Sequence, residues 1–454
     1  MAIGTYTDRV SPSVPGRKAN DIIMKIRAAL CCLAASGLLL ASACSDKSGT
    51  IEDPAEESAA TSDEALEEIE ADPFDPPMRF DTAAGVPLPE EAAAGNINLA
   101  GNAVQPLPVA LSGTKAFIAS ADRLQIVDAA TAEALPAIVP ESGTPMDPAL
   151  TVFAGDNPIQ APIVVTLDGK DLVVVPFLTT GEAVGTAVAH QSLELVAVDA
   201  ATGAEAFRVV SELPIPEEDA EGRYANAVAK GESGGVVVVD LDVYPAYTVA
   251  VDLNAQAVAW EQVFATEAVA GDTVVGIPGE RDFNRHHSGL AVADGTVKWD
   301  APDFGYENLR PAGPKYVYGF GGYDHIDGGL YLVEASTGTV TSLEAEERDS
   351  GTCRFDGQTT LVCNDTWGWL GAVNTETGEW AWELDPTPER SSVGITAVWH
   401  GAVYGNAENG PVVLDALTGA DAETAPGIAP WVVDEYVGIA QDPSGGVSTF
   451  PAIG

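Results

Sequence analysis

One stretch constrains this chain more than any other: VAVDAATGAEAF, Val196 to Phe207. Variants of it recur almost to the last residue, each an apolar run, then an acid or its substitute, then a Thr-Gly turn, then an aromatic. The copies are LQIVDAATAE from Leu124, the opening stretch itself, TVAVDLNAQAVAW from Thr248, GLAVADGTVKW from Gly289, YLVEASTGTV from Tyr331, GAVNTETGEWAW from Gly371 and VVLDALTGAD from Val412. Aligned on the glycine, the acid position is Asp128, Asp199, Asp252, Ala291, Glu334, Asn374 and Asp415, which makes seven copies. A unit repeated at roughly 40 residues is a supersecondary module that buries its face only against its neighbours, so the number of repeats sets the fold.

Turn chemistry explains the residue types. Asp or Asn at a strand end accepts backbone N–H bonds, Thr adds a weaker one, and glycine takes positive φ without steric cost. Eight residues after the acid stand Phe207, Trp260, Trp299 and Trp382, a large flat side chain placed to pack between neighbouring sheets. Ahead of each turn lies another hairpin. TLDGKDLVVV, AVAGDTVVGI, AGPKYVYGF and FDGQTTLVC are the clearest, with LSGTKAFIA, KGESGGVVVV and WHGAVYGN as weaker versions. An eighth, APWVVDEYVGIAQ from Ala429, follows the last Thr-Gly turn, and GGVSTFPAI then ends the chain. Eight hairpins against seven turns leave the last unit without a fourth strand. A strand from between Met78 and Ala100 is expected to supply it.

The succession of hairpin, apolar strand, D-A-x-T-G turn and Trp resembles the PQQ-like β-propeller repeat of quinoprotein dehydrogenases, a repeat that also occurs in non-enzymatic bacterial lipoproteins. The resemblance runs from about Asn98 to Gly454 and implies an all-β, eight-bladed β-propeller of four-stranded antiparallel sheets, with seven blades as the alternative. Fold does not carry activity. A PQQ enzyme of this family needs calcium, a base near the quinone, and walls for the flat ring. The adjacent-cysteine disulfide of the alcohol dehydrogenases has no counterpart here, because Cys31 and Cys32 lie in the leader. No cofactor is therefore expected.

The front of the chain reads as targeting. From Met24, the better start, MKIRAALCCLAASGLLLASAC has a basic n-region at Lys25 and Arg27 and an apolar h-region from Ala28 to Ala41, too short for a comfortable membrane span. Ala41-Ser42-Ala43-Cys44 resembles a bacterial lipobox, which implies cleavage and lipidation at Cys44. Ala41 replaces the usual Leu, so cleavage without lipid and secretion is the alternative. Residues 1–43 are thus a signal segment and 44–77 a lipidated, disordered tether. Ile51 to Pro77 carries eleven acids and no base, so like charges extend it and little apolar surface offsets the ordering entropy. Residues 78–454 are the propeller. The expected location is the outer face of the cell membrane.

Two cysteines remain, Cys353 and Cys363, facing each other across the Asp356-Gly357 turn, and an exported chain is expected to join them as a disulfide. The formal charge of −47, from 68 acids against 21 bases, repels phosphate backbones and argues against nucleic acid as partner. Candidate chemistry sits where loops break the repeat. ERDFNRHHSG from Glu280 and GYDHIDGG from Gly322 both join second to third strands, so Asp282, His286, His287, Asp324, His325 and Asp327 are placed to converge on one face. Of these, His286, His287 and His325 are the candidate metal ligands. Trp367 and Trp369 in NDTWGWLG lie on the same type of loop and are candidate contacts for a sugar or peptide. The expected role is a monomeric, non-catalytic platform for a protein or envelope polymer. The rival is an enzyme, either a divergent quinoprotein or a metal-dependent hydrolase.

Overall fold

Middle strands with unbroken apolar runs, such as Val236–Asp242 with its four consecutive valines, have to be covered on both faces, and that requirement organises the molecule. The computed structural model describes residues 73–93, 107–146, 159–183, 185–186, 189–214, 226–242, 246–279, 286–301, 307–320, 329–343, 351–365, 367–441 and 446–454. The proposed leader, Cys44, most of the tether, Asp282, Asp324, His325 and Asp327 lie outside them.

The regular secondary structure of the described residues is antiparallel strand throughout, apart from one four-residue 3-10 turn at Glu90–Ala93. Sheet 1 holds Val109–Ser112, Lys115–Ala119 and Leu124–Asp128, extended by isolated bridges from Ala134 and Ile138. In sheet 2, Thr144–Pro145 and Ile163–Leu167 both pair with the long Lys170–Thr180, followed by Gln191–Asp199 and Glu205–Glu212. A seven-stranded sheet comes next, and it is two four-stranded units sharing the strand Ala257–Ala270. Its first half completes sheet 3, after Asn226–Ser233, Val236–Asp242 and Tyr247–Asp252; its second half starts sheet 4, before Thr273–Pro278, His287–Ala291 and Val297–Ala301. Sheet 5 is Glu307–Pro311, Tyr316–Phe320, Leu330–Glu334 and Thr339–Ser342. Sheet 6 is Thr352–Phe355, Thr360–Asn364, Leu370–Asn374 and Glu379–Leu384, and sheet 7 is Gly394–Trp399, Ala402–Ala407, Gly410–Asp415 and Asp421–Glu423. Sheet 8 contains Val432–Val433, Val437–Gln441 and Val447–Pro451, and its fourth strand is Val86–Pro87, with Val86 opposite Thr449. The missing strand does come from the expected N-terminal stretch.

All eight hairpins are present, and each acid position of the repeated turn is the last residue of a third strand. Asp415 is typical: its Oδ1 accepts N–H bonds from Leu417 and Thr418 at 3.0 and 2.8 Å and the Thr418 hydroxyl at 2.9 Å. Where the acid is replaced by Ala291, Asp294 takes over from within the turn, accepting Thr296 N–H at 3.0 Å and its hydroxyl at 2.7 Å. Two copies lack glycine, yet the backbone still takes positive φ, 59° at Ala132 and 53° at Gln256.

Packing follows chain order. One apolar cluster joins sheets 1 and 2 through Phe117, Ile126, Phe177 and Val196, and another joins 2 and 3 through Leu193, Leu195, Val239 and Val249. The succession continues between 3 and 4, 4 and 5, 5 and 6, and 6 and 7. Sheets 7 and 8 meet through Tyr404, Val413 and Phe450, with Phe80 between them. Sheet 8 in turn meets sheet 1 through Ile439, Val447, Val109 and Ile118. Each fully buried aliphatic side chain in these seams contributes roughly 1.5–3 kcal/mol, so the seams rather than the turns hold the sheets together.

The recurrent tryptophans rivet the seams. Nε1 of Trp260, Trp299 and Trp382 donates to the carbonyl of Val292, Ala335 and Ala416 in the following sheet, at 2.7, 2.7 and 2.8 Å. Each ring also lies over that sheet's turn glycine. A Cβ on Gly338 would meet Trp299 at 2.7 Å, so the glycine is required by close approach as well as by its φ of 72°. The packed part begins earlier than residue 78. Phe74 N–H donates to the Glu435 carbonyl at 2.8 Å and the Tyr404 hydroxyl to the Pro77 carbonyl at 2.8 Å, so the last residues assigned to the tether are bonded to sheets 7 and 8.

Candidate functional site

Each of the four described histidines lies against a carboxylate, and among them only His286 and His287 belong to the same sheet. His287 opens the third strand of sheet 4 with no side-chain exposure, its Nε2 3.0 Å from Glu267 Oε2, and the same oxygen accepts the Leu309 N–H at 3.0 Å. His286, one residue earlier, takes the opposite face: its side chain is 39% exposed and its Nε2 lies 3.6 Å from Asp300. The sequence placed both on one binding face; alternation along the strand separates them instead. His190 Nδ1 sits 2.9 Å from Glu212 before the third strand of sheet 2. His400, in the first hairpin turn of sheet 7, stacks on Trp399 at 3.8 Å and reaches Asp75 Oδ1 at 2.5 Å. Among the described residues no group of three or more His, Cys, Asp or Glu side chains is arranged to hold a metal.

The tryptophan pair also divides. Asp365 Oδ1 accepts the N–H of Trp367 at 2.8 Å and that of Trp369 at 2.9 Å, which ties the loop into a compact turn. Gly368 sits between them at a φ of 92°, where a Cβ would meet Ser392 at 2.6 Å. Trp369, a candidate sugar or peptide contact by sequence, is only 3% exposed and packs edge-on against Trp380, ring centroids 5.5 Å apart, in the seam of sheets 5 and 6. Trp367 is 86% exposed, the most exposed of the large apolar side chains described. An indole held in water by a pinned loop offers a large apolar surface at small entropic cost to a partner.

Cys353 and Cys363 form the expected disulfide, directly opposite each other in sheet 6. Beside it the hydroxyl of Tyr318, from sheet 5, accepts the Cys353 N–H at 3.1 Å and donates to the Cys353 carbonyl at 2.9 Å.

Polar features that the repeat pattern does not reveal lie within single strands. Glu194 is fully buried in the third strand of sheet 2 and accepts the N–H groups of Glu141 and Ser142, the closest at 2.7 Å, together with the Arg208 guanidinium. Arg208 also binds Glu205 and approaches Glu141 at 3.6 Å, and its pKa is raised, first by the Glu205 hydrogen bond. This network fastens the segment before Thr144 to sheet 2. Asp434, in the sheet 8 hairpin, is 7% exposed, and burial pushes its carboxyl up to about 7.

No protein-family model and no curated protein sequence matches the chain. Among solved structures the chain is similar to BamB from Moraxella catarrhalis, at 18% identity and a TM-score of 0.34, over 64% of this chain and 94% of that one.

Proposed function

We propose that the eight sheets are the blades of one closed, eight-bladed β-propeller, held at the outer face of the cell membrane by lipidated Cys44, and that it works as a non-catalytic platform binding a protein of the envelope. Closure is supported by the seam between sheets 8 and 1 and by sheet 8 drawing strands from both ends of the described chain. A ring closed in this way leaves only short protected edges, which suits a scaffold that presents loops. The leader pattern and Cys44 support the location.

One observation carries the binding role: Trp367, 86% exposed on the loop that Asp365 pins. Tryptophan is enriched among the residues that contribute most to protein–protein binding, which is why this side chain is the one to test. The test is a photocrosslinking residue at position 367 in intact cells, with Val297, 65% exposed on the fourth strand of sheet 4, as the control position. A discrete protein adduct at 367 and none at 297 is expected. Equal labelling at both positions, or none at 367, overturns the reading. Trp367→Ala in the same cells should leave stability within about 0.5 kcal/mol, because an exposed side chain away from caps and networks contributes little to folding. Cys44→Ala should move the protein from the membrane fraction to the soluble one.

A further inference from the structure

The loop that carries Trp367 rests on a second exposed loop. Gly368 approaches the segment joining sheet 6 to sheet 7 so closely that a Cβ there would lie 2.6 Å from Ser392 Cβ and 3.8 Å from Pro386 Cγ. The start of that segment, Asp385-Pro386-Thr387-Pro388-Glu389, is exposed at every residue. Its shape is set locally. Thr387 and Arg390 exchange backbone hydrogen bonds of 3.0 and 3.1 Å, which closes a turn with Pro388 and Glu389 at its tip, and the Thr387 hydroxyl accepts the Glu389 N–H at 3.3 Å. Two prolines and a closed turn leave this backbone few conformations, so Asp385 and Glu389 are free to move only by side-chain rotation.

Charge then decides what suits the indole. Asp385 and Glu389 bracket the two prolines with carboxylates. Arg390, the base that follows, turns away into sheet 7, where its Nη2 donates to the Gly419 carbonyl at 2.7 Å and approaches Asp421 at 3.4 Å. The chain as a whole has the same sign, with a formal charge of −47. An indole face is the best aromatic partner for a cation, and neighbouring carboxylates add to that attraction. A neutral apolar group seated on the ring would crowd water from those carboxylates without replacing it, and an anionic group would be repelled.

We infer that the surface formed by Trp367 and the Asp385–Glu389 turn receives a cationic side chain, above all arginine, presented by an extended segment of the partner protein. The inference rests on the platform reading and gives the partner's contact its chemistry. Arginine suits the surface better than lysine, because a planar guanidinium stacks on the indole while its edge N–H groups stay available to a carboxylate. Both loops are pinned before the partner arrives, so docking orders little backbone. The contact is exposed and therefore weakens with salt.

The experiment is fluorine NMR of the intact protein with 5-fluorotryptophan at its eight tryptophan positions, the resonance of residue 367 being the one that disappears in Trp367→Phe. The probes are an acetylated, amidated peptide of alternating glycine and arginine, the same peptide with citrulline for arginine, which keeps the shape and removes the charge, and chitotetraose as a sugar. The arginine peptide should shift the 367 resonance saturably, and the citrulline peptide should bind about fivefold more weakly or worse. Raising salt from about 0.05 to about 0.3 M should weaken the arginine response about threefold. The double variant Asp385→Asn, Glu389→Gln, altered only at exposed positions, should weaken it by about the same factor at low salt. No shift with the arginine peptide, whether or not chitotetraose gives one, overturns the inference; so does an equal response to citrulline or an unchanged response in the double variant. A protein adduct at position 367 together with equal responses to the two peptides removes this inference and leaves the platform reading in place, whereas absence of the adduct removes the platform reading itself.

Discussion

Asp434 makes the stability of sheet 8 depend on pH in the direction opposite to most carboxylates. Its Oδ1 accepts the N–H groups of Tyr436 and Val437 at 2.9 Å each, and its Oδ2 is buried without a hydrogen-bond partner among the described residues. Burial is the largest influence and raises the pKa from 3.8 to about 7; the two backbone bonds oppose it and Glu435 adds to it. The native state therefore holds this proton more tightly than the unfolded chain. The group's contribution is complete below about pH 4 and is lost as pH rises through about 7, the reverse of a salt-bridged aspartate. A rise from 3.8 to about 7 corresponds to about 4 kcal/mol in all, of which about 2 kcal/mol falls between pH 5.5 and 8.5. Asp434→Asn keeps the acceptor for both N–H groups and abolishes the titration. In urea unfolding, the variant should be more stable than the parent at pH 8.5, by about 2 kcal/mol more than its advantage at pH 5.5, with equal m-values. An advantage that does not change between the two pH values would refute the reasoning.

Gln256→Gly relieves a left-handed residue at a φ of 53° in the sheet 3 turn and should stabilise by about 0.5–1 kcal/mol in urea unfolding, the strain released exceeding the entropy glycine adds to the unfolded chain. Arg208→Met leaves the fully buried Glu194 without its cation and should cost about 3–5 kcal/mol; adding Glu194→Gln should recover at least half, read from the same unfolding curves.

The repeat was legible because its signals are local. Asp, Thr and Gly at fixed offsets determine a turn whatever surrounds it, and a Trp eight residues on has one place to go once sheets stack. Counting hairpins against turns even located the strand at Val86–Pro87, since an unpaired edge has to be closed by something. Side-chain direction within the loops was not legible. His286 and His287 differ by one residue and thereby by a whole face of the sheet, and no periodic context in HHSG says which one turns inward. In NDTWGWLG the Asp365 turn rotates the chain between the two tryptophans, so apolar character alone does not separate the buried ring from the exposed one.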